Sequence, residues 1–198
     1  RHGADCSVLN IGPAGENQVL LAAIMNDKDR AAGRSGVGAV MGSKRLKAIV
    51  VKASRKQLEN IADIDALKAA NKRCLGMLTA NGVTGQGLRA YGTAVLVNII
   101  NNIGSFPTKN WQESYYPEAD SISGETLADK YLIRAGACYR CPIGCGRIIN
   151  HDGKAVGGPE YEPLWAYGGD VGNDDLYIVD ECHRLGHEYG LAAIGVPC

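Results

Sequence analysis

The chain has 198 residues, 45% of them hydrophobic, and its 21 basic side chains balance 21 acidic ones; this is the make-up of a globular protein with material for a core, not of a disordered chain. Zero formal charge supplies no concentrated basic surface, so neither nucleic acid nor an anionic membrane is expected as a partner. No apolar run reaches the roughly 18 to 20 residues that cross a bilayer, and Arg1 to Cys6 lack the layout of a signal peptide, so a cytoplasmic protein without a membrane span is expected.

The chain opens on Arg1 rather than Met and stops at Cys198 behind an apolar stretch, so a piece of a longer protein is expected. Along it, Val8 to Asn26 holds two apolar runs around a Gly-Pro turn, and the run after Gly15 is read as a strand. A glycine-rich loop then feeds a helix, and Lys47 to Ala53, β-branched and bounded by lysine, is read as a strand. From Asp63, a fitting N-cap, Ile64, Leu67, Leu75 and Leu78 recur at near-helical spacing. Residues 79–105 are rich in Gly and Asn around the apolar run Ala94 to Ile100. Phe106 to Asp120, aromatic and aperiodic, reads as a loop lying over a surface or a cofactor. Ser123, followed by Glu125 and Thr126, starts a helix running towards Leu132. Asp174 to Tyr189 is a helix with Leu176, Val179, Leu185 and Tyr189 on one face, ended by Gly190.

Seven cysteines are an odd number, and three of them fall in the eight residues from Cys138 to Cys145. That is not the paired spacing of a secreted disulfide framework; it points to a reducing compartment and metal binding. The segment ACYRCPIGCGR spaces Cys138, Cys141 and Cys145 as C-x2-C-x3-C, compact enough for three thiolates to grip one iron-sulfur cluster, with a fourth ligand from Cys198 or elsewhere. The alternatives are a structural zinc site and unligated thiols. Cys6, Cys74 and Cys182 stand alone and are read as small buried hydrophobes. Glycine, at 26 of 198 residues, is well above the usual roughly 7% and gathers in short motifs. In DRAAGRSGVGAVMG, Arg30 and Arg34 flank Gly33, Gly36 and Gly38. Such a loop suits a phosphate-bearing cofactor, although a purely structural turn reads the same way; neither a P-loop nor a Rossmann fingerprint is present.

Six segments in order carry a family resemblance: IGPAGEN from Ile11, GVGAVMGSKRLKAIVV from Gly36, FPTKNW from Phe106, ACYRCPIGCGR from Ala137, GPEYEP from Gly158 and EYGLAAI from Glu188. On these the chain resembles the tungsten-containing aldehyde:ferredoxin oxidoreductase family. The resemblance implies an α+β fold, in which residues 1–55 end a β-rich pterin-binding domain and residues 56–198 begin a mainly α-helical domain carrying the cluster loop. It implies a tungsten or molybdenum bis-pterin that oxidises an aldehyde to a carboxylic acid, a four-iron, four-sulfur cluster, and ferredoxin or a similar carrier as electron acceptor. A homo-oligomer or a subunit of a complex is also implied.

Residue by residue, the resemblance puts Arg30, Ala31, Gly33 and Arg34 beside pterin phosphates, makes Cys138, Cys141 and Cys145 three cluster ligands, and gives Glu162 a proton-exchanging place at the metal. For Glu162 the plain alternative is a surface carboxylate. Glu181 matches a ligand of a metal between subunits, but the E-x-x-H pattern reads Glu181 and Arg184 here. The acidic D-x-x-G-L-D pterin contact reads His187 to Ala192, so His187, Leu191 and Ala192 occupy it without either acid. His183 and His187, four apart, have metal-ligand spacing, and polar surface is the alternative. The alternative within the family is the reduction of aromatic acyl-CoA thioesters, which some relatives carry out, and a non-catalytic, cluster-only electron-transfer module is the reading of another class. The 198 residues taken alone are expected to be inactive.

Overall fold

A computed structural model of the chain describes residues 6–27, 30–53 and 61–197. The domain boundary expected near residue 55 and the candidate ligand Cys198 lie outside the described residues.

The first part is a four-stranded antiparallel sheet. Strands β1 (Cys6–Asn10), β2 (Ile24–Asn26), β3 (Arg30–Ala32) and β4 (Ala48–Lys52) take the order β3-β2-β1-β4. The pairing of β1 with β4 runs from Cys6 opposite Lys52 to Asn10 opposite Ala48. Two short helices, α1 (Pro13–Glu16) and α2 (Val37–Ser43), pack together beside it. The expected sequence of glycine loop, helix and strand is thus present in α2 and β4. The run after Gly15 is corrected: Asn17 to Leu21 fold as turns tied by Gln18 N–H to Gly15 O and Val19 N–H to Ala14 O, and only Ile24–Asn26 is strand.

Helix α3 (Ile64–Ala80) begins where Asp63 accepts hydrogen bonds from Asp65 N and Ala66 N, filling two of the amides a helix start leaves open. None of its residues is buried. A π-turn (Val83–Gly87), α4 (Leu88–Tyr91), a 3-10 turn (Gly92–Val95) and α5 (Leu96–Asn102) follow. Phe106 to Asp120 has little regular structure, but it is not a cover laid over a site. Phe106 and Tyr116 are buried and stack at 6.4 Å within the main apolar core, alongside Val97, Ile122, Leu164 and Val179.

Helix α6 (Gly124–Lys130) starts where Ser123 Oγ accepts from Thr126 N, and it stops two residues short of Leu132, which opens a strand. That strand belongs to a small sheet set within a second part whose described residues are otherwise mainly helical. Strands β5 (Leu132–Gly136), β6 (Gly146–His151) and β7 (Lys154–Gly157) form a second antiparallel sheet in that order, and the cysteine segment is the connection between β5 and β6. Helix α7 (Tyr161–Ala166) follows, and α8 (Leu176–Tyr189) is capped by Asp175 and ended by Gly190 at φ +71°. The buried stripe of α8 is Leu176, Val179, Asp180, His183 and Gly186, whereas Leu185 and Tyr189 are exposed; the apolar face expected from spacing is rotated because the buried stripe carries polar groups.

The end of α8 is stitched to the first sheet. Ala23 N donates to Gly190 O at 2.8 Å and Ala192 N to Leu21 O at 2.9 Å, while Ala22 and Leu191 form a β-bridge. A Cβ on Gly12 would fall within 2.5 Å of the Tyr189 carbonyl carbon, so only glycine allows this approach.

Candidate active site

Where the two sheets and the ends of α7 and α8 meet, a cleft of about 1330 Å³ opens. It is larger than the roughly 300–1,000 Å³ of ordinary small-ligand sites. Arg30, Ala31, Gly33 and Arg34 line one wall, Cys138 and Arg147 another, Glu162 enters from α7, and His183, His187, Leu191 and Ala192 line the side given by α8 and its end. Of the sequence-derived candidates, Cys141, Cys145 and Glu181 are not among the lining residues.

On the first wall β3 delivers Arg30 and Ala31, and the chain then turns through Ser35 and Gly36 at positive φ into α2. A Cβ on Gly33 would meet nothing within 4 Å, so the backbone there stands open to the cleft. Arg30 is not turned solely towards that opening: its Nη1 donates to Glu160 Oε1 at 2.7 Å. Burial works against its charge, but Glu160, then Cys138 and Cys145, outweigh it and hold the guanidinium above its ordinary pKa. The side chain therefore ties β3 to the segment that leads into α7, with Cys138 and Cys145 near enough to feel its charge, a role that spacing in the sequence does not reveal.

In the cysteine loop, Cys141 N donates to Cys138 O at 3.0 Å, and Arg140 and Gly144 sit at positive φ. All three thiols are free; Cys138 is exposed and Cys141 and Cys145 are half-buried. Burial pushes the Cys145 thiol up, Glu160 adds to the effect, and Arg30 opposes it. Among the described residues no three His, Cys, Asp or Glu side chains are gathered as a ready metal cage. The donors themselves fit a cluster: three soft sulfurs on one glycine-bearing turn, with guanidinium groups beside them to offset anionic charge. Cys74, expected to be buried, is exposed on α3, and Cys6 and Cys182 are half-buried.

Sequence reasoning missed Arg147. It is 3% exposed, and its four hydrogen bonds all end on backbone carbonyls: Nε to Gly146 at 2.8 Å, Nη2 to Gly144 at 2.6 Å, and Nη1 to Ala90 at 2.7 Å and Arg89 at 3.2 Å. The one available signal was an arginine directly behind the last Cys-Gly pair.

On α8, His183 is 6% exposed, and its ring lies 4.1 Å from that of His187. Burial, then the neighbouring His187, lowers its pKa to about 3, so it is a neutral buried imidazole and not polar surface. Glu181, which is not among the cleft's lining residues, is held by Arg184 at 2.6 and 2.8 Å and lies 3.0 Å from His151 Nε2. His151 Nδ1 lies 2.6 Å from Asp180 Oδ2. The arginine that replaces histidine in the E-x-x-H pattern thus engages both oxygens of Glu181.

Two family descriptions match: "Aldehyde ferredoxin oxidoreductase, N-terminal domain" over residues 1–53 and "Aldehyde ferredoxin oxidoreductase, domains 2 & 3" over residues 69–197. The chain belongs to the aldehyde ferredoxin oxidoreductase family. It is 50% identical over 190 residues to the tungsten-containing aldehyde ferredoxin oxidoreductase of Pyrococcus furiosus, covering 94% of this chain and 31% of that protein. The Thermococcus kodakarensis enzyme of the same name is 50% identical over 188 residues, with 94% and 31% covered. An aliphatic sulfonate oxidoreductase, WOR-like subunit, of P. furiosus is 33% identical over 175 residues, covering 82% of this chain and 26% of that one. The chain thus spans about a third of the length of the two tungsten-containing relatives, 31% of each. Among solved structures, the active site complex BamBC of benzoyl coenzyme A reductase, in complex with 1,5 dienoyl-CoA, superposes with a TM-score of 0.69 at 24% identity. It covers 98% of this chain and 31% of that chain, and at that identity the likeness is one of fold.

Proposed function

We propose that these residues are part of a metal-pterin oxidoreductase, with tungsten or molybdenum, that oxidises an aldehyde to a carboxylic acid. Electrons pass through a four-iron, four-sulfur cluster to ferredoxin or a similar carrier. The observation that carries the reading is a single one: Arg30, Gly33, Arg34, Cys138, Glu162 and His187, picked out from separate stretches of sequence, line one cleft. On this reading residues 1–55 belong to the β-rich pterin-binding domain and residues 56–198 begin the next. The protein is cytoplasmic, and a homo-oligomer or a subunit of a complex; among the described residues no helix is long and apolar enough to cross a membrane.

When bound, the metal-pterin supplies the two-electron redox chemistry and the cluster carries single electrons away. The chain does the rest. Open backbone at Gly33 and the guanidinium of Arg34 bind phosphate, with Arg30 shared between that wall and Glu160. Cys138, Cys141 and Cys145 supply three thiolates. Glu162, in the first turn of α7, holds and releases the proton of water or substrate. His187 meets a pterin edge as a hydrogen-bonding imidazole, Leu191 keeps the leucine of the pattern, and Ala192 stands apolar where an acid would otherwise reach the pterin. Glu181, the candidate ligand of a metal between subunits, has its carboxylate engaged by Arg184 and His151, which would compete with a metal there.

Half-identity to enzymes named for aldehydes favours an aldehyde as substrate over a CoA thioester. The test is full-length protein purified without oxygen: iron, acid-labile sulfide and tungsten or molybdenum are expected, with aldehyde-dependent dye reduction. In Glu162→Gln the metals should remain while kcat falls about 10²–10⁴-fold, the usual contribution of a general acid-base group. Zinc without iron, or a Glu162→Gln variant of undiminished kcat, overturns the respective parts.

A further inference from the structure

The most demanding group in the structure outside the roles above is the Arg147 guanidinium. It is 3% exposed, and among the described residues no carboxylate is a hydrogen-bond partner: every one is a carbonyl oxygen. Burying a charge against neutral dipoles alone is costly, and a fold that does so normally sets an opposite charge close by. Two carbonyls, Gly144 and Gly146, flank Cys145, and the other two, Arg89 and Ala90, belong to α4, more than fifty residues away in sequence. The guanidinium is thus a two-sided clamp between the cysteine loop and α4. Burial lowers its pKa, while Cys145 and then Glu160 act the other way.

Gly92 makes the same junction from the other side. At φ +65° it packs so closely that a Cβ would stand 2.5 Å from Cys145 O and 3.1 Å from Arg147 Nε, contacts no larger residue could make without moving the loop. Arginine, clamp and loop form one unit, and because Glu160 is engaged by Arg30 and makes no hydrogen bond to Arg147 among the described residues, the guanidinium beside Cys145 has room for a further anion.

We propose that Arg147 is a positioning residue for the iron-sulfur group: it fixes the Cys145 side of the loop against α4 and places a permanent buried cation beside the anionic thiolate-ligated cluster. The inference rests on the reading of Cys138, Cys141 and Cys145 as cluster ligands. A nearby fixed positive charge stabilises the reduced, more negative cluster, so Arg147 raises its reduction potential. The guanidinium fork contributes separately, through geometry, to retention of the cluster.

The two contributions come apart in full-length protein purified without oxygen, using Arg147→Gln and Arg147→Lys. Arg147→Gln is expected to shift the midpoint of the cluster, read by paramagnetic resonance during redox titration, to more negative potential, and to lose iron faster to a chelator. Arg147→Lys keeps the charge without the fork, so it should restore most of the potential while still losing iron faster than the natural protein. Equal potentials in all three proteins, or equal shifts in both variants, overturn the electrostatic role, and unchanged iron loss overturns the clamp. If Arg147→Gln does not accumulate folded, Gly92→Ala decides for the clamp, since it displaces Cys145 with the charge intact: faster iron loss supports it and an unchanged rate refutes it. A natural protein without iron and sulfide would sink the cysteine reading itself, an outcome distinct from iron-loaded variants that behave like the parent.

Discussion

The two walls of the cleft are built by opposite means. The cysteine wall is over-determined: β5 and β6 hold both ends of the loop, Arg147 clamps it to α4, and Gly92 leaves room for Cys145 O. The glycine wall is held at its strand, through β3 on β2, but beyond Ala32 it opens: Gly33 has no neighbour where a Cβ would be, and Arg34 is exposed. On the proposed reading, one wall is shaped before a ligand arrives and the other offers donors for a ligand to order. A compact inorganic group needs fixed sulfurs, whereas a phosphate is satisfied by uncovered amides and a mobile guanidinium.

The largest effect should come from breaking the rigid wall at its ligands. Cys145→Ser removes a half-buried thiol and substitutes a hard hydroxyl for a soft donor. Full-length protein carrying it should lose most of its iron and sulfide, and electron transfer to an external acceptor should drop by more than the ~10–100-fold that follows loss of an outer-shell partner. Wild-type iron content in that variant would remove Cys145 from the ligand set.

Breaking the open wall should do less. Arg34→Ala removes one charge-assisted contact, worth about 1.5–3 kcal/mol, so cofactor retention should weaken about 10–100-fold with the fold intact. Pterin released on dilution, measured by fluorescence after oxidation, checks this. Release at the parent's rate would show that Arg34 does not touch phosphate.

The same contrast explains what the sequence let one read. Elements set by contacts within a few residues were legible: the Asp63 cap of α3, the Ser123 cap of α6 and the Gly190 stop of α8 are each a side chain or glycine meeting its own local backbone. Strands β5, β6 and β7 were not, because short segments such as LIRAG carry no alternation strong enough to declare them, and their pairing is decided across the cysteine loop. Phe106 and Tyr116 looked like loop aromatics because burial of an aperiodic segment depends on what packs over it. In the site, residues with distinctive chemistry at close spacing, the cysteines above all, could be picked out directly. Arg30 and Arg34 stood out as basic flanks of the glycine loop, whereas Glu162 and the pterin-contact reading of His187 needed the family resemblance. Arg147 escaped both, since a clamp made of carbonyl acceptors leaves no pattern of side chains to recognise.

The smallest effect lies on α8, the side of the cleft where neither wall's logic applies, and it is a matter of protons. The buried His183 imidazole has a pKa of about 3, against an ordinary 6.5 in the unfolded chain. Between those values the unfolded chain binds the extra proton, so the stabilising contribution is fully present above pH 6.5 and drains as pH falls towards 3, at up to about 1.4 kcal/mol per unit. Asp180, one helical turn earlier, works in the opposite sense: burial raises it to about 6 from 3.8, with His151 opposing, so the folded state gains protons, and stability, as pH falls through that window. The two partly cancel in the natural protein, which is why the whole-protein acid curve is uninformative and a difference is required. Thermal midpoints of the natural full-length protein and of His183→Asn, compared from pH 7.5 to 5.5, should converge or cross as the pH falls, because the variant lacks the group that must be kept unprotonated. Parallel curves would mean that His183 is open to solvent and protons in the whole protein, and that this side of the cleft is wet instead of sealed.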